Sequence, residues 1–364
     1  MHQSRAKALT IGESTLSSTT NCIAITWYLL MHTRFRHAPT LRRKEFYPFG
    51  TSESRGILQA MSQGAAQILV RHGDCLQELE RLQQEGYRFA LTFLDPPFNQ
   101  GKEYAYFHDN LPDEEYWQWM RQVCEQVHTL TADGGSVFFM QREKNAEHVL
   151  RVLRESGFQL QNLIIWTKRT SAVPNEWRFG KSYQIIAFAT KGRKPRVFNR
   201  LRIDAPLRPE YRYAREDGMF LTDVWDDIRE LTSGYFAGAE ALRMPTGERF
   251  HKQQSPVALL VRILLSASLP GDWVLDPFAG TGTTPVVAAQ LERHCVAIEI
   301  DSANIAMIKW RLAARREADS VLPLRSYYRF TPNLDEIWRL ETSLQWRQGR
   351  QLALFEGKAS YGDL

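Results

Sequence analysis

The sequence predicts a doubly wound α/β fold, a mostly parallel sheet with helices on both faces and one inserted segment. Three observations predict it. From about residue 65 to residue 318, short apolar runs alternate with stretches of helical period. Two of the apolar runs, FALTFL at 89–94 and WVL at 273–275, end in Asp-Pro loops. The alternation breaks between about 190 and 250, where Arg, Tyr and Pro accumulate.

The elements follow in order. Residues 1–64 show no period and are rich in Ser, Thr and Arg, which predicts a poorly ordered extension. QILV (67–70) is a strand and CLQELERLQQEG (75–86) a helix that ends on glycine. FALTFL is a buried strand. DEEYWQWMRQVCEQVHTLT (113–131) has helical spacing and three acids in its first turn, which suits the helix dipole. SVFFMQ (136–141) is the next strand and NAEHVLRVLRESG (145–157) the next helix. NLIIWTK (162–168) and QIIAFATKG (184–192) form a pair of strands. VALLVRILLSASL (257–269) is a helix, WVLDPF (273–278) a strand and TPVVAAQLER (284–293) a helix. CVAIEID (295–301) is the last strand and ANIAMIKWRLAARREA (303–318) a helix with a basic tail.

Composition narrows the class. The chain has 364 residues, 43% hydrophobic and 24% charged, with a net charge of +5. That is a globular protein of one or two domains. Cys22, Cys75, Cys124 and Cys295 are scattered, with no CxxC spacing. They read as reduced thiols of a cytoplasmic protein, and no metal site is expected. CIAITWYLLM (22–31) has signal-like hydrophobicity, but no small-residue cleavage site follows it. No stretch is long and apolar enough for a bilayer, so no membrane partner is expected.

DPFAGTGTT (276–284) places a glycine turn between a strand and a helix. Gly280 and Gly282 let the backbone come close to a ligand, and the following helix aims its N–H groups at it. Glu299 ends the next strand, where an acid accepts ribose hydroxyls. A phosphate-binding Walker loop would need GK[ST], which is absent. A dinucleotide fingerprint would need a third glycine, and TTP stands in its place. S-adenosyl-L-methionine, which needs a glycine turn and a ribose acid but no pyrophosphate cradle, fits best.

LTFLDPPFNQ (91–100) ends a strand on an acid, two prolines and an aromatic. If its strand neighbours WVL at the point where the winding reverses, Asp95 faces the same ligand. In this order the motifs resemble amino-directed DNA methyltransferases of the permuted kind, with the catalytic half ahead of the cofactor half. The resemblance spans about residues 66–316. It is carried by HGDCLQEL (72–79), LTFLDPPFNQG, NLIIWTK, SYQIIAFATKG, DVW (223–225), HKQQSP (251–256), DPFAGTGTT and AIEID.

The resemblance implies a Rossmann-like methyltransferase sheet and S-adenosyl-L-methionine as cofactor. It implies catalysis by Asp95, Pro96, Pro97 and Phe98. It implies cofactor contacts from Asp74, Gln254, Ser255, Asp276, Pro277, Phe278, Gly280, Thr281, Gly282, Thr283 and Glu299. Ser255 stands where the family usually has lysine. The expected divisions are the extension 1–64, a catalytic half 65–190, a target-recognition region 191–250, a cofactor half 251–320 and a tail 321–364.

An exocyclic amine is a poor nucleophile because its lone pair is delocalised into the ring. Asp95 and the Pro96 carbonyl would accept its two N–H bonds and free that lone pair. Phe98 would stack on the base once it leaves the duplex. Tyr104, Tyr106 and Phe107 would wall the pocket or pack. No Pro-Cys dipeptide occurs, so attack on cytosine C5 is not the chemistry.

Between Lys168 and Arg215, 13 Lys and Arg outnumber three acids, with Trp177, Phe179, Phe198, Tyr211 and Tyr213 interleaved. Lys191, Arg193, Lys194, Arg196 and Arg200 form the densest cluster and are the expected DNA contacts. The expected reaction is methylation of adenine N6 in double-stranded DNA. Cytosine N4 is the closest rival; an RNA or protein methyltransferase and an inactive DNA-binding partner are further ones. A paired restriction endonuclease is left open as a partner, and so is the choice of monomer or dimer.

Overall fold

A computed structural model describes residues 66–102, 109–168, 176–204, 216–231, 238–244, 246–251 and 253–339. The expectations for residues 1–64, Tyr104, Tyr106, Phe107, Tyr211, Tyr213 and the tail beyond 339 lie outside the described residues.

In chain order the first half carries β1 (Ile68–His72), α1 (Cys75–Gln84), β2 (Phe89–Leu94), α2 (Asp113–Leu130), β3 (Thr131–Arg142), α3 (Ala146–Glu155), β4 (Phe158–Thr167) and β5 (Tyr183–Lys191). Three short strands follow, β6 (Arg202–Ile203), β7 (Met219–Phe220) and β8 (Val224–Trp225). The second half carries α4 (Val257–Ala267), β9 (Trp273–Asp276), α5 (Thr283–Gln290), β10 (His294–Glu299), α6 (Ser302–Ala314), α7 (Leu322–Arg325) and α8 (Leu334–Ile337).

Eight strands form one sheet in the order β1-β10-β9-β2-β3-β5-β4-β8. The five from β1 to β3 are parallel, and β5 runs antiparallel to both its neighbours. β2 is buried at all six positions, as a parallel strand covered on both faces must be. Leu91 and Phe93 face α4, α5 and α6, whereas Phe89 and Leu94 face α1, α2 and α3. α4 is apolar all round and is correspondingly buried. Each fully buried Leu, Ile or Phe contributes about 1.5–3 kcal/mol.

This topology creates a crevice. β2 lies beside β9, with Leu91 opposite Val274 and Thr92 opposite Leu275. From β2 the chain winds towards β3, and from β9 it winds the other way, towards β10. The two helical connections leave a gap at the shared carboxyl edge, where doubly wound sheets bind ligands. The two Asp-Pro loops therefore stand side by side, as the sequence required.

Several elements differ from expectation. α2 stops at Leu130, because Thr131 turns extended and its hydroxyl caps the Val127 carbonyl at 2.6 Å. β3 begins there, five residues early, and absorbs the DGG turn. Pairing jumps from Phe89↔Thr131 to Leu91↔Ser136, so residues 132–135 bulge out, with Gly134 at φ +70°. α6 ends at Ala314, short of the expected 318, because Arg315 adopts φ +48°.

The 191–250 stretch does not stand apart from the sheet. β8 extends the sheet along β4, and Leu201, Trp225, Ile228 and Leu231 are buried. The described part of the tail is also core, with Ile337 and Trp338 fully buried. Arg293, buried at the start of β10, donates to the Ile337 carbonyl at 2.6 Å.

Candidate active site

Asp95 follows the last residue of β2, at the crevice. Its Oδ2 accepts a hydrogen bond from Ser255 Oγ at 2.9 Å. Burial pushes its carboxyl up to about 7, and the nearby Asp276 carboxylate adds to that. The Ser255 hydrogen bond and the Lys168 and Lys102 amines act in the opposite direction.

The loop behind Asp95 is held from two sides. Tyr116, buried on α2, donates its hydroxyl to the Pro97 carbonyl at 2.7 Å and accepts from Gln141 Nε2 at 2.9 Å. Asp109, also buried, accepts the backbone N–H groups of Asn99, Gln100 and Lys102 at 2.7, 3.1 and 3.0 Å. Asn99 adopts φ +51°, and its side chain exchanges two 2.8 Å hydrogen bonds with the Leu111 backbone. Phe98 is only 6% exposed and packs in the core against the α4–α6 face. The structure therefore shows its ring as core and not as an open platform for a base.

Across the crevice, the loop after β9 turns through Gly280 at φ +53° and Gly282 at φ +84°. A Cβ on Gly282 would sit 2.6 Å from Ile308 Cγ1, so α6 packs directly on that glycine. A Cβ on Gly280 would meet no atom closer than 4.0 Å, so the loop faces open space there. Asp276, the last residue of β9, accepts from the Phe278 N–H at 3.0 Å and from the Thr284 hydroxyl, and burial pushes its carboxyl up to about 7. Pro277 and Phe278 lead into the turn, and Phe278 meets Trp119 of α2 edge-on at 5.6 Å.

Arg311 of α6 supports this loop from below. It donates to the Thr281 carbonyl at 2.9 Å and to Thr283 Oγ1 at 3.2 Å. Its other nitrogens hold both oxygens of Asp319, at 3.1 and 2.8 Å, and neither side chain is exposed.

Glu299 ends β10 beside the turn. It accepts from the Asp301 N–H at 2.7 Å, from Asn304 and from the Gly280 N–H, and burial raises its pKa. A carboxylate has about four lone-pair sites, which leaves about one for a ligand hydroxyl. Asp74 lies at the next strand end, where the Gly73 N–H donates to the Glu299 carbonyl at 3.1 Å. Its Oδ1 caps α1 through Leu76 and Gln77 at 3.0 and 3.2 Å.

Two expectations meet a different geometry. Gln254 is buried away from the crevice opening, and its amide bonds the backbone of Leu242 and Glu240 at 3.0 and 3.1 Å. Ser255 touches the catalytic loop at Asp95. The expected DNA cluster is also displaced. Lys191 bonds the His128 and Thr131 carbonyls at 3.1 and 3.0 Å, and Arg196 pairs with Asp272 at 2.5 Å. Those partners mark the amino-terminal ends of β3 and β9, so Lys191, Arg193, Lys194 and Arg196 lie at the sheet edge opposite Asp95. The cause is the antiparallel course of β5, which carries its end to the other edge. Arg200 stacks on Phe220 at 4.2 Å and lines a separate cavity of about 360 Å³ over β3, β5 and β4.

Sequence reasoning missed Tyr116, Gln141, Asp109 and Arg311. Only Arg311 stood in a stretch already marked, and its charge there read as a helix-end effect. Among the described residues, no group of three or more His, Cys, Asp or Glu is placed to hold a metal ion.

A doubly wound sheet of this order, with an acidic loop and a glycine turn facing each other at the switch point, defines a Rossmann-like methyltransferase. Residues 89–309 match the N6_N4_Mtase family, described as DNA methylase, and the chain belongs to that family. It is 31% identical to the DNA adenine methyltransferase YhdJ of Escherichia coli K12, over 74% of this chain and 90% of that protein. It is 27% identical to the type II methyltransferase M.HpaI of Haemophilus parainfluenzae, over 66% of this chain and 72% of the relative. Among solved structures it resembles TTHA0409 of Thermus thermophilus, a DNA modification methylase complexed with S-adenosyl-L-methionine. There the identity is 22% and the TM-score 0.46, over 72% of this chain and 94% of that one.

Proposed function

We propose that this protein transfers a methyl group from S-adenosyl-L-methionine to the N6 amine of an adenine flipped out of double-stranded DNA, with Asp95 as the acceptor that activates the amine. One observation carries the reading. Asp95 stands at the reversal of the sheet, bonded to Ser255 and close enough to Asp276 to feel its charge.

The crevice suits the cofactor. Gly280 leaves open space before the turn, as close approach of a ligand to backbone requires. Glu299 keeps a lone-pair site for a ribose hydroxyl, and Asp74 lies at the adjoining strand end. Bound S-adenosyl-L-methionine supplies an electrophilic methyl group on sulfonium. Phe278 and the Gly280–Thr283 turn would hold it, with Arg311 fixing the turn from beneath.

The chain's part of the chemistry is positioning and charge. Asp95 as carboxylate accepts one amine N–H, and the Pro96 carbonyl accepts the other. The amine then presents its lone pair instead of conjugating it. As the nitrogen gains a methyl cation it must lose a proton, and Asp95 is the base placed to take it. The Tyr116 and Asp109 bonds hold the loop so that little reorganisation is needed.

The relative named as an adenine methyltransferase supports adenine over cytosine, and Asp at the first position of DPPF agrees. Cytosine N4 is the second reading, because both bases offer an amine to the same acceptors. Double-stranded DNA as substrate, a cytoplasmic location and a monomeric or dimeric state belong to the proposal. A paired endonuclease does too, and extracts of the source cells cutting unmethylated but not methylated DNA would reveal it. No helix among the described residues is long and apolar enough to cross a membrane.

The test is mass spectrometry of nucleosides from DNA incubated with protein and cofactor, beside Asp95→Ala. N6-methyladenine that appears only with the unsubstituted protein supports the reading. N4-methylcytosine moves it to the second base. No methylated base in DNA overturns it.

A further inference from the structure

We propose that the connection between β4 and β5 is the element that enters the DNA beside the flipped base, with Trp177 and Phe179 stacking on the bases exposed there. This rests on the DNA reading above.

The connection is at the right edge. β4 runs parallel to β2 and β3, so Thr167 ends at the same carboxyl edge as Asp95. β5 starts there, with Tyr183 paired to Thr167. The ladder continues one pair further, where the Lys168 N–H donates to the Ser182 carbonyl at 2.6 Å. The chain between them stands beyond the sheet edge, and residues 176–181 of it are described.

Its side chains are unusual for an open surface. Trp177 is 85% exposed and Phe179 98% exposed, the two most exposed large apolar side chains among the described residues. Rings that open to water at one place point to a partner. They alternate with Arg178 and precede Lys181, so the partner they suit is both stacked and anionic. Lys181 bonds Glu143 at 2.8 Å, which ties the connection to the residue after β3.

The site is within reach. Neighbouring strands are about 4.8 Å apart, so β5 and β4 lie roughly 10 and 15 Å from β2. Lys168, where the connection leaves β4, and Asp95 each influence the other's ionisation, which places the root of the connection beside the catalytic carboxylate. A nucleotide delivered to Asp95 leaves an orphaned partner base and two exposed base faces. Aromatic rings stack on any base, so such an element offsets unstacking without choosing the sequence. The basic cluster at the opposite sheet edge is not placed to do this.

The test uses the full chain, its cofactor and unmethylated duplex DNA. Trp177→Ala/Phe179→Ala is expected to lower kcat/KM on duplex DNA by at least about tenfold, the effect of losing a stacked ring. Its equilibrium affinity for S-adenosyl-L-methionine should stay within about twofold, because neither ring borders the glycine turn. In a fluorescence titration with duplex DNA, part of the tryptophan quenching should vanish in Trp177→Phe. Methylation of duplex DNA by the double variant within about twofold of the unsubstituted protein would overturn the proposal. So would unchanged quenching in Trp177→Phe. Failure of the unsubstituted protein to methylate DNA would instead sink the reading on which the proposal rests.

Discussion

At the scale of single residues, the reaction depends on the charge state of Asp95. The carboxylate accepts an amine N–H and the protonated acid cannot. Burial holds this group at about 7, so the active fraction grows as pH rises through that value. The expected kcat/KM profile climbs from pH 6 to pH 8 with a midpoint near 7. Ser255 stabilises the charged form, so Ser255→Ala should move the rising limb to higher pH. A limb that stays in place or moves down would show that Ser255 does not act through Asp95. Asp95→Asn should lower kcat by at least about 100-fold at every pH while cofactor binding survives. The glycine turn gives a second comparison. Gly282→Ala meets both φ +84° and a 2.6 Å clash with Ile308, whereas Gly280→Ala meets only its φ of +53°. Gly280→Ala should destabilise by about 1 kcal/mol, and Gly282→Ala by at least about 2. Denaturant unfolding of the two variants measures the difference.

At the scale of elements, the catalytic loop is held by α2 and β3 through one hydroxyl. Tyr116→Phe keeps the buried ring but leaves the Pro97 carbonyl and Gln141 Nε2 without that partner. A loss of about 1–3 kcal/mol in stability is expected, with a fall in kcat larger than any rise in KM for DNA. A fall in stability with unchanged kcat would mean that the loop holds its shape without Tyr116. The elements themselves were largely legible in the sequence, because DPPF and GTG carry their own turn chemistry and their strands are continuous apolar runs. The edge at which an element ends was less legible. Lys191 to Arg196 read as a DNA surface until β5 proved antiparallel, since apolar period alone carries no strand direction. Tyr116 and Gln141 were hidden for another reason. Each polar group lies in an otherwise ordinary amphipathic pattern, and only packing α2 on β3 brings the two together. Phe98 shows the limit from the opposite side, because its place beside Asp95 in sequence put the ring in the core.

At the scale of the whole molecule, both halves of the chain must fold together for a crevice to exist. β2 and β9 are far apart in sequence, and β1 joins the sheet only through β10. The second half is held at a charged centre without solvent access, Arg311 with Asp319. That pair also carries the glycine turn, through the Thr281 carbonyl and Thr283. Arg311→Met would leave Asp319 buried with only Arg316 nearby, at 3.4 Å. Breaking one partner of a buried pair costs about 3–5 kcal/mol, whereas replacing both with apolar groups is often nearly neutral. Arg311→Met/Asp319→Leu should therefore recover most of the stability lost in Arg311→Met. It should not recover the cofactor site, because Thr281 still lacks its donor. A ligand at 100 times its Kd stabilises the folded state by about 2.7 kcal/mol, so thermal unfolding with and without S-adenosyl-L-methionine separates the two effects. The double variant is expected to melt near the unsubstituted protein without cofactor, yet to gain less when cofactor is added. An equal gain would show that Arg311 serves the fold alone and that the turn keeps its shape unaided.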